Sequence, residues 1–161
     1  MIKKFFTKYK TYIFSILIAL GVGLLSAFFT RDNMNLSAIR QPPFSPPAIL
    51  FPLVWSTLYV LMGISAAMIY EKRTNYPEEV RSALSTYLSS LIVNFAWSII
   101  FFNFGAYFLA FIWIILLEYL IIKNIREYIT IDKTAALLQI PYAVWVAFAG
   151  YLTLSIAILN R

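Results

Sequence analysis

The side chains that most often carry chemistry are missing from this chain. It has 161 residues with neither a histidine nor a cysteine. That removes thiolate nucleophiles, histidine general bases, Cys/His zinc sites and the two commonest axial ligands of haem iron. Tryptophan, tyrosine, phenylalanine and a single asparagine remain, set inside long apolar runs. Asn94 has Trp97 at i+3 and Phe101 at i+7, so the three share one helical face. Phe51, Trp55 and Tyr59 recur at four-residue spacing. Tyr142, Trp145, Phe148 and Ala149 follow Pro141. An indole recognises by stacking, worth roughly 0.5–1.5 kcal/mol per pair beyond buried area. Three tryptophans at interior positions would suit a flat, apolar, aromatic ligand. Two structural readings stay open: Asn94 as a hydrogen-bonding tie between helices, and the aromatic stripes as packing. Glu118 is the one carboxylate well inside an apolar run. It stands about a turn from Lys123, placed to snorkel or pair near an interface, not to serve as a mid-membrane proton carrier. No second carboxylate faces it in the manner of a hydrolase.

The elements that must hold these residues are membrane helices. The chain is 61% hydrophobic and 12% charged, with 18% aromatic residues and a mean hydropathy of +0.79. A soluble domain carries about 25% charged residues, and one core of this size could not hide so much apolar surface. Five runs reach the length a bilayer demands: Thr11–Phe29, Ala48–Tyr70, Ala83–Phe102, Phe104–Ile122 and Thr134–Leu159. None alternates with period two, so the expected fold is an all-α integral membrane protein, a five-transmembrane-helix bundle forming one domain over residues 1–161. Asn103–Gly105 reads as a tight hairpin between the third and fourth spans. The first run is too long for a signal peptide and lacks an A-x-A site after it, so it is expected to stay.

Basic residues sort by side. Lys3, Lys4, Lys8, Lys10, Lys72, Arg73, Arg81, Lys123, Arg126 and Lys133 fall on one side, against Arg31, Arg40 and Arg161 on the other. The positive-inside rule then puts the N-terminus in the cytoplasm and the C-terminus outside, and helical spans with this charge bias point to a bacterial cytoplasmic membrane. The net charge of +6 needs no nucleic-acid partner. Loop 30–47 is the longest connection and ends in Gln41-Pro-Pro-Phe-Ser-Pro-Pro47. Its prolines fix the backbone into a stiff, extended path, either a plain connector or a lid over a pocket. Arg31 and Arg40 flank its mouth, where they are ordinary loop charges or partners for a ligand's carboxylates.

Three stretches resemble, in order and spacing, the TspO/MBR family, the tryptophan-rich sensory proteins that include the mitochondrial translocator protein. Gln41–Trp55, QPPFSPPAILFPLVW, is similar to the family's K-P-P-F-x-P-P…F-P-x-V-W. Asn94-Phe-Ala-Trp-Ser98 with Phe101 and Phe102 is similar to N-x-x-W-S…F-F. Pro141–Leu152, PYAVWVAFAGYL, is similar to P-Y-x-x-W-x-x-F-A-x-Y-L. The resemblance implies a five-helix bundle, commonly a homodimer, with a cavity beneath the first long loop that takes porphyrins such as protoporphyrin IX, or haem, with no cofactor and no metal required. Ligand-binding residues by matched motif are Trp55, Tyr59, Asn94, Trp97, Phe101, Trp145, Phe148 and Ala149, with Pro42, Pro43, Pro46 and Pro47 shaping the lid. It also implies two alternatives to binding for sensing, sequestration or transfer: light- and oxygen-dependent porphyrin degradation, with Trp55 and Trp145 involved, and small-molecule transport. The sequence shows no inverted repeat or broken-helix pair of the transporter kind. Two departures stand out. Thr153 replaces the family's usual Asn after Tyr151-Leu152, and the first basic residue after Tyr151 is Arg161, which argues against sterol recognition there. Without His or Cys, a metal-free porphyrin held by stacking fits better than ligated haem.

Overall fold

A computed structural model describes the backbone of residues 2–161 and the side chains of residues 9–161. The side chains of Lys3, Lys4 and Lys8, part of the basic N-terminal flank, lie outside the described residues. Five helices follow one another: α1 (Ile2–Thr30), α2 (Leu50–Glu71), α3 (Pro77–Ser98), α4 (Tyr107–Ile131) and α5 (Lys133–Leu159). All five are long and apolar enough to cross a membrane, and no strand occurs among the described residues.

Local sequence explains most boundaries. Pro77 opens α3, where its missing N–H costs nothing, and Glu78 and Glu79 face the positive end of the helix dipole. Asp132 separates α4 from α5 by a single residue; its carboxylate accepts the Thr134 and Ala135 amides at 2.9 and 3.1 Å. At the other end of the bundle, a π-helical turn over Ile99–Asn103 leads out of α3. Gly105, at φ +59°, then reverses the chain into α4. Pro141 sits within α5, so the helix lacks one backbone bond there.

Several helices run past the apolar stretches. Helix α4 continues to Ile131 instead of ending near Ile122, and α3 begins at Pro77 instead of Ala83. Hydropathy marks the membrane, whereas backbone hydrogen bonding continues into water as long as good helix formers follow. In that extension Lys123 pairs with Glu127 at 3.7 Å. Lys123 is thereby engaged by its i, i+4 carboxylate and not by Glu118, about a turn behind it.

Neighbouring contacts run α1–α2, α2–α5, α5–α4, α4–α3 and α3–α1, which closes the helices into a ring. Where α1 meets α2, a Cβ on Gly63 would stand 2.5 Å from the Ile16 Cα. The two backbones touch, as membrane helices do through small residues. One core cluster runs along the bundle from Trp97 and Phe101, near the α3–α4 hairpin (called the outer end), to Ala66 and Ile121, toward the α2–α3 and α4–α5 turns (the inner end). A smaller one, of Ile69, Val80, Ala83, Tyr128, Ala135 and Ala136, seals the inner end.

Candidate functional site

Inside the outer half of the ring is a cavity of about 410 Å³, within the range of roughly 300–1,000 Å³ usual for small-molecule sites. Helix α2 supplies Phe51, Trp55 and Tyr59; α3 and the π turn supply Asn94, Trp97, Phe101 and Phe102; α5 supplies Trp145, Ala149 and Thr153. Most of the residues singled out in the sequence therefore meet at one wall. The π turn matters here, because its extra residue lets Trp97, Phe101 and Phe102 all reach the cavity. Trp97 and Phe101 stack at 5.3 Å, and Phe101 and Phe102 meet edge-on at 4.8 Å.

Asn94 does two things. Its amide donates to the Tyr59 hydroxyl at 2.9 Å, tying α3 to α2, and it also lines the cavity. Trp55 lies 5.7 Å from the Tyr59 ring and 6.2 Å from that of Tyr142. The Nε1 atoms of Trp97 and Trp145 are buried without a protein acceptor. Thr153 lines the cavity too, but its hydroxyl donates to the Ala149 carbonyl at 2.7 Å, within its own helix.

Other expected residues stand elsewhere. Phe148 lies outside the cavity, facing a groove between α2 and α5; it is one position round the helix from Ala149, enough to turn it outward. Pro42, Pro43, Pro46 and Pro47 do not line the cavity. The roof is made instead by Met34, Leu36, Gln41 and Ala48 of the same connection, with Pro52 at the start of α2. Between the proline pairs, Phe44 takes φ +65° and is almost wholly exposed, a strained setting for a bulky residue. Arg31 is exposed, 3.7 Å from Asp32 and 4.6 Å from the Phe28 ring centre. The exposed Arg40 is held through its backbone by Asn160. Neither arginine lines the cavity.

A whole wall escaped the sequence reading. Leu20, Gly23, Ser26, Ala27 and Thr30 of α1 face the cavity. Gly23 is needed there, since a Cβ would fall 2.4 Å from the Tyr59 ring. The available signal was a stripe of small residues at helical spacing, without any aromatic to draw attention to it.

A five-helix membrane bundle with this motif-bearing cavity agrees with the comparison to known proteins. The model of the TspO/MBR family matches residues 15–159. The chain belongs to the TspO/MBR family. It is 34% identical over 148 residues to the tryptophan-rich protein TspO of Archaeoglobus fulgidus, covering 91% of this chain and 94% of that one. It is 31% identical over 146 residues to the tryptophan-rich protein TspO of Chlorobaculum tepidum, covering 89% and 91%. The translocator protein of Bos taurus is 30% identical over 141 residues, covering 86% of this chain and 83% of the bovine one. These alignments span most of each partner. The TspO/MBR assignment thus applies to the bundle as a whole, including the α1 wall from residue 15 onward.

Proposed function

We propose that this TspO/MBR protein binds a porphyrin, of the protoporphyrin IX type, in the cavity between α1, α2, α3 and α5, and that it holds the ligand for sensing, sequestration or transfer. One observation carries the reading: Trp55, Trp97 and Trp145, from three different helices, converge on a single apolar space. Flat aromatic ligands gain most from such walls. Met34 and Tyr59 are the only lining residues able to approach an iron as sulfur or phenol ligands, and Tyr59 is already engaged by Asn94. A metal-free macrocycle suits this donor set better than haem. With the basic helix ends in the cytoplasm, the cavity would open toward the opposite side of the membrane.

The test is a titration of protoporphyrin IX into detergent-purified protein in the dark, followed by tryptophan fluorescence, with Trp55→Phe and Trp145→Phe alongside. Saturable quenching near one porphyrin per chain, weakened several-fold in both variants, is expected. Linear quenching, identical in all three proteins, would mean partition into the micelle and would end the reading.

A second reading, light-dependent degradation of the bound porphyrin with oxygen, is favoured by the contact of the Trp55 indole with two phenols. It requires turnover beyond one equivalent under illumination, abolished in Trp55→Phe while dark binding persists.

A further inference from the structure

The cavity has a roof and a side wall, and they are fastened very differently. The roof is held by hydrogen bonds at three places. Asn160, at the end of α5, accepts from the Arg40 amide at 2.9 Å and donates to the Arg40 carbonyl at 3.1 Å. Tyr151 donates to the Pro43 carbonyl at 3.1 Å. Asn33 donates to the Asn103 side chain at 3.1 Å, and Asn103 donates to the Phe29 carbonyl at 2.9 Å. Lifting the roof would break bonds to α5 and to the α3–α4 hairpin together.

The side wall between α2 and α5 is closed by ring contacts, Phe51 with Trp145 and Trp55 with Tyr142, and no hydrogen bond is among them. Between α2 and α5 an apolar groove runs along the outer face of the bundle, lined by Leu53, Thr57 and Leu61 from α2 and by Pro141, Val144 and Phe148 from α5. Leu53 and Val144 are each 64% exposed, and on a membrane-crossing helix that exposure faces acyl chains. The Thr57 hydroxyl is bonded to the Leu53 carbonyl at 2.9 Å, so it offers the lipid no unmet donor. Trp145 lines both this groove and the cavity.

No hydrogen bond anchors the Trp145 ring. Its Nε1 has no protein acceptor, and its ring contacts are Phe51 at 6.0 Å and Phe148 at 5.6 Å. Trp113 shows the alternative, an indole anchored by a 3.0 Å bond to the Val93 carbonyl. A rotamer change at Trp145 breaks no hydrogen bond. One turn earlier Pro141 removes a backbone bond from α5, which gives the helix local freedom to bend at the groove.

We infer that the α2–α5 groove is the membrane-side entrance to the cavity and that the Trp145 side chain is its door. The inference rests on the reading that the cavity holds a flat apolar ligand. Such a ligand dissolves in the bilayer, where it meets the groove without having to cross water to a fastened roof.

The chain has no cysteine, so one can be introduced and capped after folding. Val144→Cys, in the groove but not the cavity, is placed in phosphatidylcholine nanodiscs and reacted with benzyl methanethiosulfonate. Protoporphyrin IX association and release are then followed by stopped-flow tryptophan quenching in the dark, before and after the reaction. Ile92→Cys on α3, 68% exposed and remote from the groove, serves as the control. Capping Val144→Cys should slow association and release alike, by about tenfold or more, and leave the dissociation constant unchanged; capping Ile92→Cys should change neither. Unchanged rates at Val144→Cys would overturn the entrance and leave the ligand reading intact. A weakened dissociation constant at an unchanged association rate would make the groove part of the binding site and overturn it as a passage. No saturable quenching before capping would overturn the ligand reading and the entrance together.

Discussion

The inner and outer halves of the bundle solve opposite problems. In the inner half, side chains tie one helix to another. Ser65 donates to the Ala135 carbonyl at 2.7 Å, Gln139 donates to Ser65 at 3.3 Å, and Asn124 donates to the Ala83 carbonyl at 2.8 Å. Lys72 reaches Asp132 at 3.6 Å across the inner turns. Small residues such as Ala83, Ala135 and Ala136 let the backbones approach. In the outer half the hydroxyls of Thr30, Ser98 and Thr153 bond back to their own helices, and large aromatic rings hold the helices apart. The cross-helix ties here are Asn94 to the Tyr59 hydroxyl, Trp113 to the Val93 carbonyl and, from the π turn, Asn103 to the Phe29 carbonyl. In lipid there is little hydrophobic drive to pull helices together. A cavity persists where the large rings of α2, α3 and α5 face the small side chains of α1, and the laced inner half keeps it from collapsing or spreading.

Two glycines at the α1–α2 contact separate these roles. Gly63 on α2 meets the backbone of Ile16, with Cα at 2.5 Å and N at 2.8 Å from an added Cβ. Backbone cannot step aside, so Gly63→Val should force the two helices apart. The expected loss is about 3 kcal/mol, at the upper end for overpacking, read as a large fall in thermal unfolding midpoint in detergent, with binding lost as a consequence. Gly23 on α1 meets only the edge of the Tyr59 ring, at 2.4 Å, and a ring can turn. Gly23→Ala should therefore displace Tyr59 and strain its bond from Asn94. It should cost about 1 kcal/mol of stability or less but weaken porphyrin binding several-fold. If Gly23→Ala lowered the midpoint as far as Gly63→Val, the outer half would be as tightly packed as the inner, and the contrast would fail.

The same division explains which parts of the molecule were legible in the sequence. Five spans and their order follow from apolar run length; aromatic spacing marked the faces of α2, α3 and α5 that carry Trp55, Trp97 and Trp145 but left packing open, and the matched motifs pointed to a pocket. The α1 wall was not legible: Gly23, Ser26, Ala27 and Thr30 contribute by being small, and smallness reads equally well as helix packing. The prolines of loop 30–47 pointed to the right segment. They stiffen the roof, while its inner surface comes from Met34, Leu36 and Gln41. Phe148 went astray because a stripe at three- and four-residue spacing is about as wide as a helix face, and its edge residue turns to the lipid side. Nor could sequence show that Lys123 would prefer Glu127 to Glu118, since that depends on α4 continuing beyond the apolar run.

The smallest effect sharpens the comparison most, because it touches the roof alone. Asn160 is the staple that holds Arg40 through two hydrogen bonds, and a third bond runs from its amide to the Ile156 carbonyl at 2.9 Å. Asn160→Ala removes all three at the water-facing end of α5, where solvent can replace them, so stability should fall by only about 0.5–1 kcal/mol. Amide exchange around residue 40 should nonetheless accelerate, since the Arg40 N–H loses its acceptor. Hydrogen exchange read by mass spectrometry checks this directly, and the peptides of the inner half should keep their protection. The same variant then bears on access to the cavity. A loosened roof should leave the porphyrin association rate unchanged if the ligand passes Trp145 from the bilayer, and should raise it if the roof is the route. Unlike capping Val144→Cys, this change leaves the groove intact, so the two experiments approach the question from opposite sides of the cavity.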